Sequence, residues 1–163
     1  MQVTQVNDIL PQMKPMTIYF DVCCLGRPFD DQSQDRVRIE TEAIEVILRR
    51  VDKAEWLWVG SDAIWLEINR IEDADRMARV VRMTASVSKI TKLTSEYEER
   101  AKAIETLGFK PMDALHIASA EILRADVFLT TDDRIEKLSK KHAGALKVRI
   151  ANPLRWLEEI ATP

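Results

Sequence analysis

Three acids follow runs of residues that read as buried strands. Asp21 closes "TIYFD", and Asp132 and Asp133 close "VFLTTDD". Asp is disfavoured within strands, so an acid at the end of an apolar run asks for a reason. If the two runs are neighbouring strands, their ends lie about 4.8 Å apart. Two carboxylates that close repel, and both stay ionised only with a cation between them. Two further acids occupy unexpected helical positions. In "SDAIWLEINRI", Glu67 follows Ile64 by three residues and precedes Ile71 by four, which puts it on their apolar face. Asp113 opens "MDALHIASAEIL", a run apolar nearly all round and therefore a buried helix. Acidic oxygens without Cys or His at metal-ligand spacing suit a hard cation, Mg²⁺ or Mn²⁺. A site of that kind, with no nucleophile triad, points to hydrolysis of a phosphoryl ester by an activated water.

Each acid also has a plain structural role open to it. "DRIE" at Asp133–Glu136 matches a capping box, which favours Asp133 as a helix cap. Asp113 can cap its own helix, and Glu67 can tilt away from the stripe. Asp21, at the end of a strand where Asp is disfavoured, is the hardest to explain in that way. The argument for a site is the convergence of four acids on one crevice. Of the two histidines, His116 reads as a satisfied core residue one turn after Asp113, and His142 as a solvated helix-end residue. Arg27, in "CCLGRPFDD", is the cation nearest the first acid. In a tight loop shaped by Gly26 and Pro28, it is expected on the rim of the crevice, where a guanidinium clamps phosphate in two-point fashion.

The elements that must position these residues alternate along the chain. Strands are predicted at 17–20, 56–59, 89–92, 127–130 and 147–150. Helices are predicted at 35–51, 62–71 with Ser61 as cap, 73–83, 96–107 ended by Gly108, 112–124, 133–141 and the terminal "NPLRWLEEI". Alternation of this kind gives an α/β fold, a mostly parallel sheet with helices on both faces. Ligands of such sheets bind beyond the carboxyl ends of the strands, where the strand order reverses. Residues 1–15, polar and closed by Pro11 and Pro15, read as an N-terminal extension, and 16–163 as one domain.

The chain has 163 residues, 46% hydrophobic and 31% charged, enough for a full core without disulfides. Its adjacent cysteines, Cys23 and Cys24, cannot pair without strain and have no third partner, so both are expected as reduced thiols filling apolar space. No leader or membrane-spanning run is evident, and the expected location is the cytoplasm. A formal net charge of −3 argues mildly against a nucleic-acid partner. Four acids gathered on one cation would account for that whole excess.

The pieces "IYFDVCCL", "SDAIWLEI", "DALHIASA" and "VFLTTDDR", in this order, resemble the PIN-domain ribonucleases. Within them the chain is most similar to the VapC-type toxins of bacterial and archaeal toxin–antitoxin pairs. The resemblance runs over residues 17–155. It implies a three-layer α/β/α sandwich of about five strands, with Asp21, Glu67, Asp113 and Asp132 as the catalytic and metal-binding quartet. It places Thr130 as the hydroxyl two residues before the last acid; a slip of one residue selects Thr131 and Asp133 instead. It implies Mg²⁺- or Mn²⁺-dependent cleavage of RNA and a small antitoxin protein as partner, with a homodimer left open. The chain departs from the family in having Cys23 and Cys24 where many relatives carry Ser or Thr, and in residues 1–15. Two other readings compete: a non-catalytic PIN-like module that binds RNA or protein, and a phosphatase of the haloacid-dehalogenase type. The latter needs a second acid two residues after Asp21, where Cys23 stands.

Overall fold

The computed structural model describes residues 14–162; the expected extension at 1–15 lies almost wholly outside the described residues. Five strands form one sheet in the order β3-β2-β1-β4-β5, every pair parallel. They are β1 (Met16–Phe20), β2 (Trp56–Ser61), β3 (Lys89–Thr91), β4 (Val127–Leu129) and β5 (Arg149–Ala151). The chain builds outward from β1 through β2 to β3, crosses back, and adds β4 and β5 on the other side of β1. The order therefore reverses between β1 and β4, the place where such sheets take their ligands.

Period-two alternation divides the core between the two faces. Ile18 and Phe20 of β1, Trp56 and Trp58 of β2, and Val127 and Leu129 of β4 pack on one side. There they meet Ile44, Ile47 and Val51 of α2 (Asp35–Asp52), Ile64 and Ile68 of α3 (Ala63–Ile68), Val80 of α4 (Ala74–Met83) and Trp156 of α8 (Pro153–Ala161). Tyr19, Val59 and Phe128 point the other way. They are covered by Ala101 and Ile104 of α5 (Ser95–Glu105), Ala114, Ile117 and Ala118 of α6 (Pro111–Ile122) and Ile135 of α7 (Asp133–Lys141). The result is the expected α/β/α sandwich. Side chains such as Ile18, Phe20 and Phe128 are wholly buried, each contributing about 1.5–3 kcal/mol through removal from water. No helix of the described residues is long and apolar enough to cross a membrane.

The differences from the sequence reading are local. The helix expected over 62–71 is only α3, with Asn69 at its C-cap and a turn through Ile71. A short α1 (Val22–Gly26) and a 3₁₀ turn (Arg27–Phe29) replace the loop expected after Asp21. α5 stops at Glu105 with Thr106 as its C-cap, two residues before the expected end, and Gly108 closes the turn that follows with φ +102°, a conformation that glycine adopts without the steric cost of a Cβ. The cap of α7 is Asp132, not Asp133: its Oδ1 accepts from Arg134 N at 2.8 Å. Asp133 is the first helical residue, and the Arg36 guanidinium takes both of its oxygens at 2.7 Å. That hydrogen bonding holds the Asp133 carboxyl below its usual range.

Candidate metal centre

Phe20 pairs with Leu129 across β1 and β4, so the residues after each strand emerge side by side. Asp21 follows directly, with its N–H donating to Leu129 O at 2.9 Å. Asp21 as a whole is 4% exposed. Thr130 Oγ1, at the end of β4, donates to Asp21 Oδ2 at 2.7 Å, and Cys23 Sγ donates to the same oxygen at 3.1 Å. Asp132 N donates to Thr130 Oγ1 at 3.1 Å, tying the turn after β4 to the same hydroxyl. Cys24 is buried as expected of filler, and burial pushes its thiol pKa well up. Cys23 is half-buried and belongs to the Asp21 cluster, a position that its reading as filler missed.

Glu67 arrives from α3, carried to the sheet end by Ile64 and Ile68, both sealed in the core. Its Oε2 lies 2.6 Å from His116 Nε2 of α6. One atom each of Asp21, Glu67 and His116 lie within 4.8 Å of one another, a spacing that fits a metal ion. Asp113, in the first turn of α6, pairs with Arg134 of α7. Burial raises the Asp21 carboxyl pKa; Glu67 adds to the rise and His116 opposes it. Asp113 is raised as well, by burial first, with Arg134 opposing and Asp132 and Glu67 adding to the rise. The four predicted acids are thus in one electrostatic neighbourhood at the switch point.

Their donors leave room for a cation. Among the described residues, Asp21 accepts only through Oδ2, Glu67 only through Oε2, Asp113 only through Oδ2 and Asp132 only through Oδ1. Each keeps one carboxylate oxygen without a protein donor, which is the oxygen-rich supply a hard divalent ion takes. Asp133, the acid of the slipped register, is bound to Arg36 on the surface; Thr131 is buried, and its N–H donates to Cys23 Sγ at 3.3 Å. Arg27, expected as a phosphate clamp, donates from Nε to Glu40 at 2.7 Å and from Nη1 to Asp30 at 3.1 Å. It serves as half of an ion-pair network around the buried Glu40, which also takes Arg36 and Asn152. Sequence reasoning passed over His116, although its i, i+3 spacing from Asp113 places both on one face of α6.

Comparison of the sequence with curated proteins finds no match. Among solved structures the chain is similar to one in the crystal structure of VapBC2 from Rickettsia felis bound to a DNA fragment from their promoter. The TM-score is 0.55 at 11% identity, covering 84% of this chain and 98% of that one, a likeness of fold. The PIN domain family matches residues 18–141. That stretch begins within β1, ends with α7 and contains all four acids, and the chain belongs to the PIN domain family.

Proposed function

We propose that the chain is a Mg²⁺- or Mn²⁺-dependent endoribonuclease of the VapC type, the cytoplasmic toxin of a toxin–antitoxin pair whose partner is a small antitoxin protein. The observation that carries the reading is the set of four carboxylates at the sheet's switch point, each with one oxygen free of protein donors. The divalent ion that these carboxylates would hold would supply the Lewis acidity to activate a water for attack on the phosphodiester and to neutralise the leaving oxygen. Asp21 and Glu67 are its principal holders, and Asp113 and Asp132 complete the acidic ring. Thr130 and Cys23 fix Oδ2 of Asp21, so its orientation is set before the ion arrives. Arg134, half-buried beside Asp113, is the cation placed to meet a scissile phosphate. The structural likeness to a chain of a VapBC complex supports the toxin side of the reading as a likeness of fold.

The test is cleavage of a defined RNA by the purified chain with Mn²⁺, with EDTA and with Asp21→Asn. Cleavage that needs the ion and Asp21 is expected. RNA bound but left intact under all conditions overturns the nuclease in favour of a non-catalytic binding module. Induced expression should arrest growth with the wild type and spare it with Asp21→Asn.

A further inference from the structure

His116 is wholly buried, yet it touches the site. Tyr19 lies two residues before Asp21, on the strand that Asp21 follows. Tyr19 OH lies 2.8 Å from His116 Nδ1 and 3.4 Å from Ser61 Oγ. Ser61 Oγ donates to Ser119 Oγ at 2.8 Å, and Ser119 Oγ donates to Leu115 O at 2.8 Å.

The protons in this chain can be counted. Leu115 O only accepts, so it uses the single Ser119 proton. Ser119 must then accept the single Ser61 proton. The Tyr19 proton goes to its closer acceptor, Nδ1, which leaves the 3.4 Å contact with Ser61 without a proton. At 2.6 Å a proton must lie between Nε2 and the Glu67 carboxylate, since two bare acceptors at that distance repel. The neutral ring thus carries its hydrogen on Nε2, and the lone pair that a metal would need there is taken.

We infer that Tyr19 and His116 form a positioning relay, in which Tyr19 donates to Nδ1 of His116, and His116 donates from Nε2 to Glu67 Oε2 and holds Glu67 with Oε1 free for the ion. His116 thus serves the centre from behind a ligand and is not a ligand itself. The inference rests on the metal-site reading above. It also gives the Tyr19 hydroxyl and both His116 nitrogens partners inside an otherwise apolar layer, where each polar group costs free energy unless bonded.

The test has two arms. In EDTA, nitrogen–proton correlation spectra of ¹⁵N-histidine protein, assigned with His116→Gln, should show the neutral Nε2–H form at His116. The Nδ1–H form or a doubly protonated ring overturns the relay. In calorimetric titration with Mn²⁺, His116→Leu should bind about 10–100-fold more weakly, as loss of an orienting partner does. His116→Gln, whose amide can still donate to Glu67, should recover most of that loss, and Tyr19→Phe should lose affinity while remaining folded. Nitrogen coupling to bound Mn²⁺ in the wild-type electron paramagnetic resonance spectrum, absent in His116→Gln, overturns the positioning role in favour of direct ligation. Should His116→Leu not fold, Tyr19→Phe decides, and unchanged affinity there overturns the relay. A wild type that binds no Mn²⁺ overturns the metal site and the relay together, whereas wild-type binding with His116→Leu unaffected overturns the relay alone.

Discussion

Asp21→Asn should change the stability of the protein in opposite directions with and without metal. Asp21 is 4% exposed, and its ligand oxygen lies within 4.8 Å of that of Glu67. Two full charges at 4.8 Å repel by about 3.5 kcal/mol at an effective dielectric constant of about 20. The realised figure is smaller. The Glu67 side chain is 32% exposed, and His116 donates to it. We expect about 1–2 kcal/mol of stabilisation in EDTA, about 2–8 °C in Tm for a domain of this size. With Mn²⁺ at about 100 times Kd the wild type should gain about 2.7 kcal/mol, and Asp21→Asn should gain little. The melting curves therefore cross: the variant is the more stable in EDTA, the wild type in saturating Mn²⁺. Differential scanning calorimetry in both buffers checks this. A variant that melts lower than wild type in EDTA would refute the crowding argument and make Asp21 a structural acceptor for Thr130.

Further expectations follow from the same geometry. A carboxyl whose folded pKa is raised binds its proton more tightly when folded, so metal-free protein should lose stability as pH rises from about 4 through the raised values of Asp21 and Asp113; urea unfolding in EDTA across that range shows it, and a curve flat or rising contradicts it. Arg27→Ala should lower stability by about 2–3 kcal/mol in urea unfolding, less than a fully stranded buried charge because Arg36 and Asn152 still bond Glu40, and Mn²⁺ affinity should be unchanged. Asp132→Asn keeps a good cap on α7 and removes a charge, so Mn²⁺ binding should weaken with little change in Tm. Asp133→Asn, in an exposed pair with Arg36, should cost no more than about 1 kcal/mol and leave Mn²⁺ binding alone; the reverse pattern would move the fourth acid to Asp133. A maleimide should label Cys23 in folded protein and reach Cys24 only on unfolding, which mass spectrometry of the digested protein reads directly.

The acids that were legible in the sequence are those whose misfit was local. Asp21 ends an apolar strand, and Glu67 interrupts an apolar stripe, so a window of a few residues exposes each. The parallel sheet and its switch point were legible for a related reason: strand and helix periods alternate along the chain, and parallel pairing follows from the crossovers. The cap of α7 was not legible. "DRIE" fits a capping box one residue too late, because the cap position is set by where the backbone leaves β4. Thr130 is held there through Ala151 O of β5, and its hydroxyl takes Asp132 N. Arg27 was misread for a similar reason. A basic loop residue beside an acid looks like a phosphate clamp until Glu40 is seen buried against it, and Glu40 is buried because Asn152, 112 residues away, also bonds it.

His116 shows where local reading stops and what replaces it. In sequence, a histidine in an apolar helix reads as core whether or not it touches a site, and burial does not separate the two cases. What separates them is the destination of its two nitrogens. One meets Tyr19, two residues before Asp21 on the strand that Asp21 follows; the other meets Glu67. The polar residues Tyr19, Ser61, His116 and Ser119 come from β1, β2 and α6, and no pair closer than three residues apart reveals them as a set. A buried polar group must find its partners inside the protein. Following those contacts from Leu115 O outward reaches Glu67 in five steps, and the same accounting gives a histidine that sequence periodicity assigns to the core a place in the candidate site.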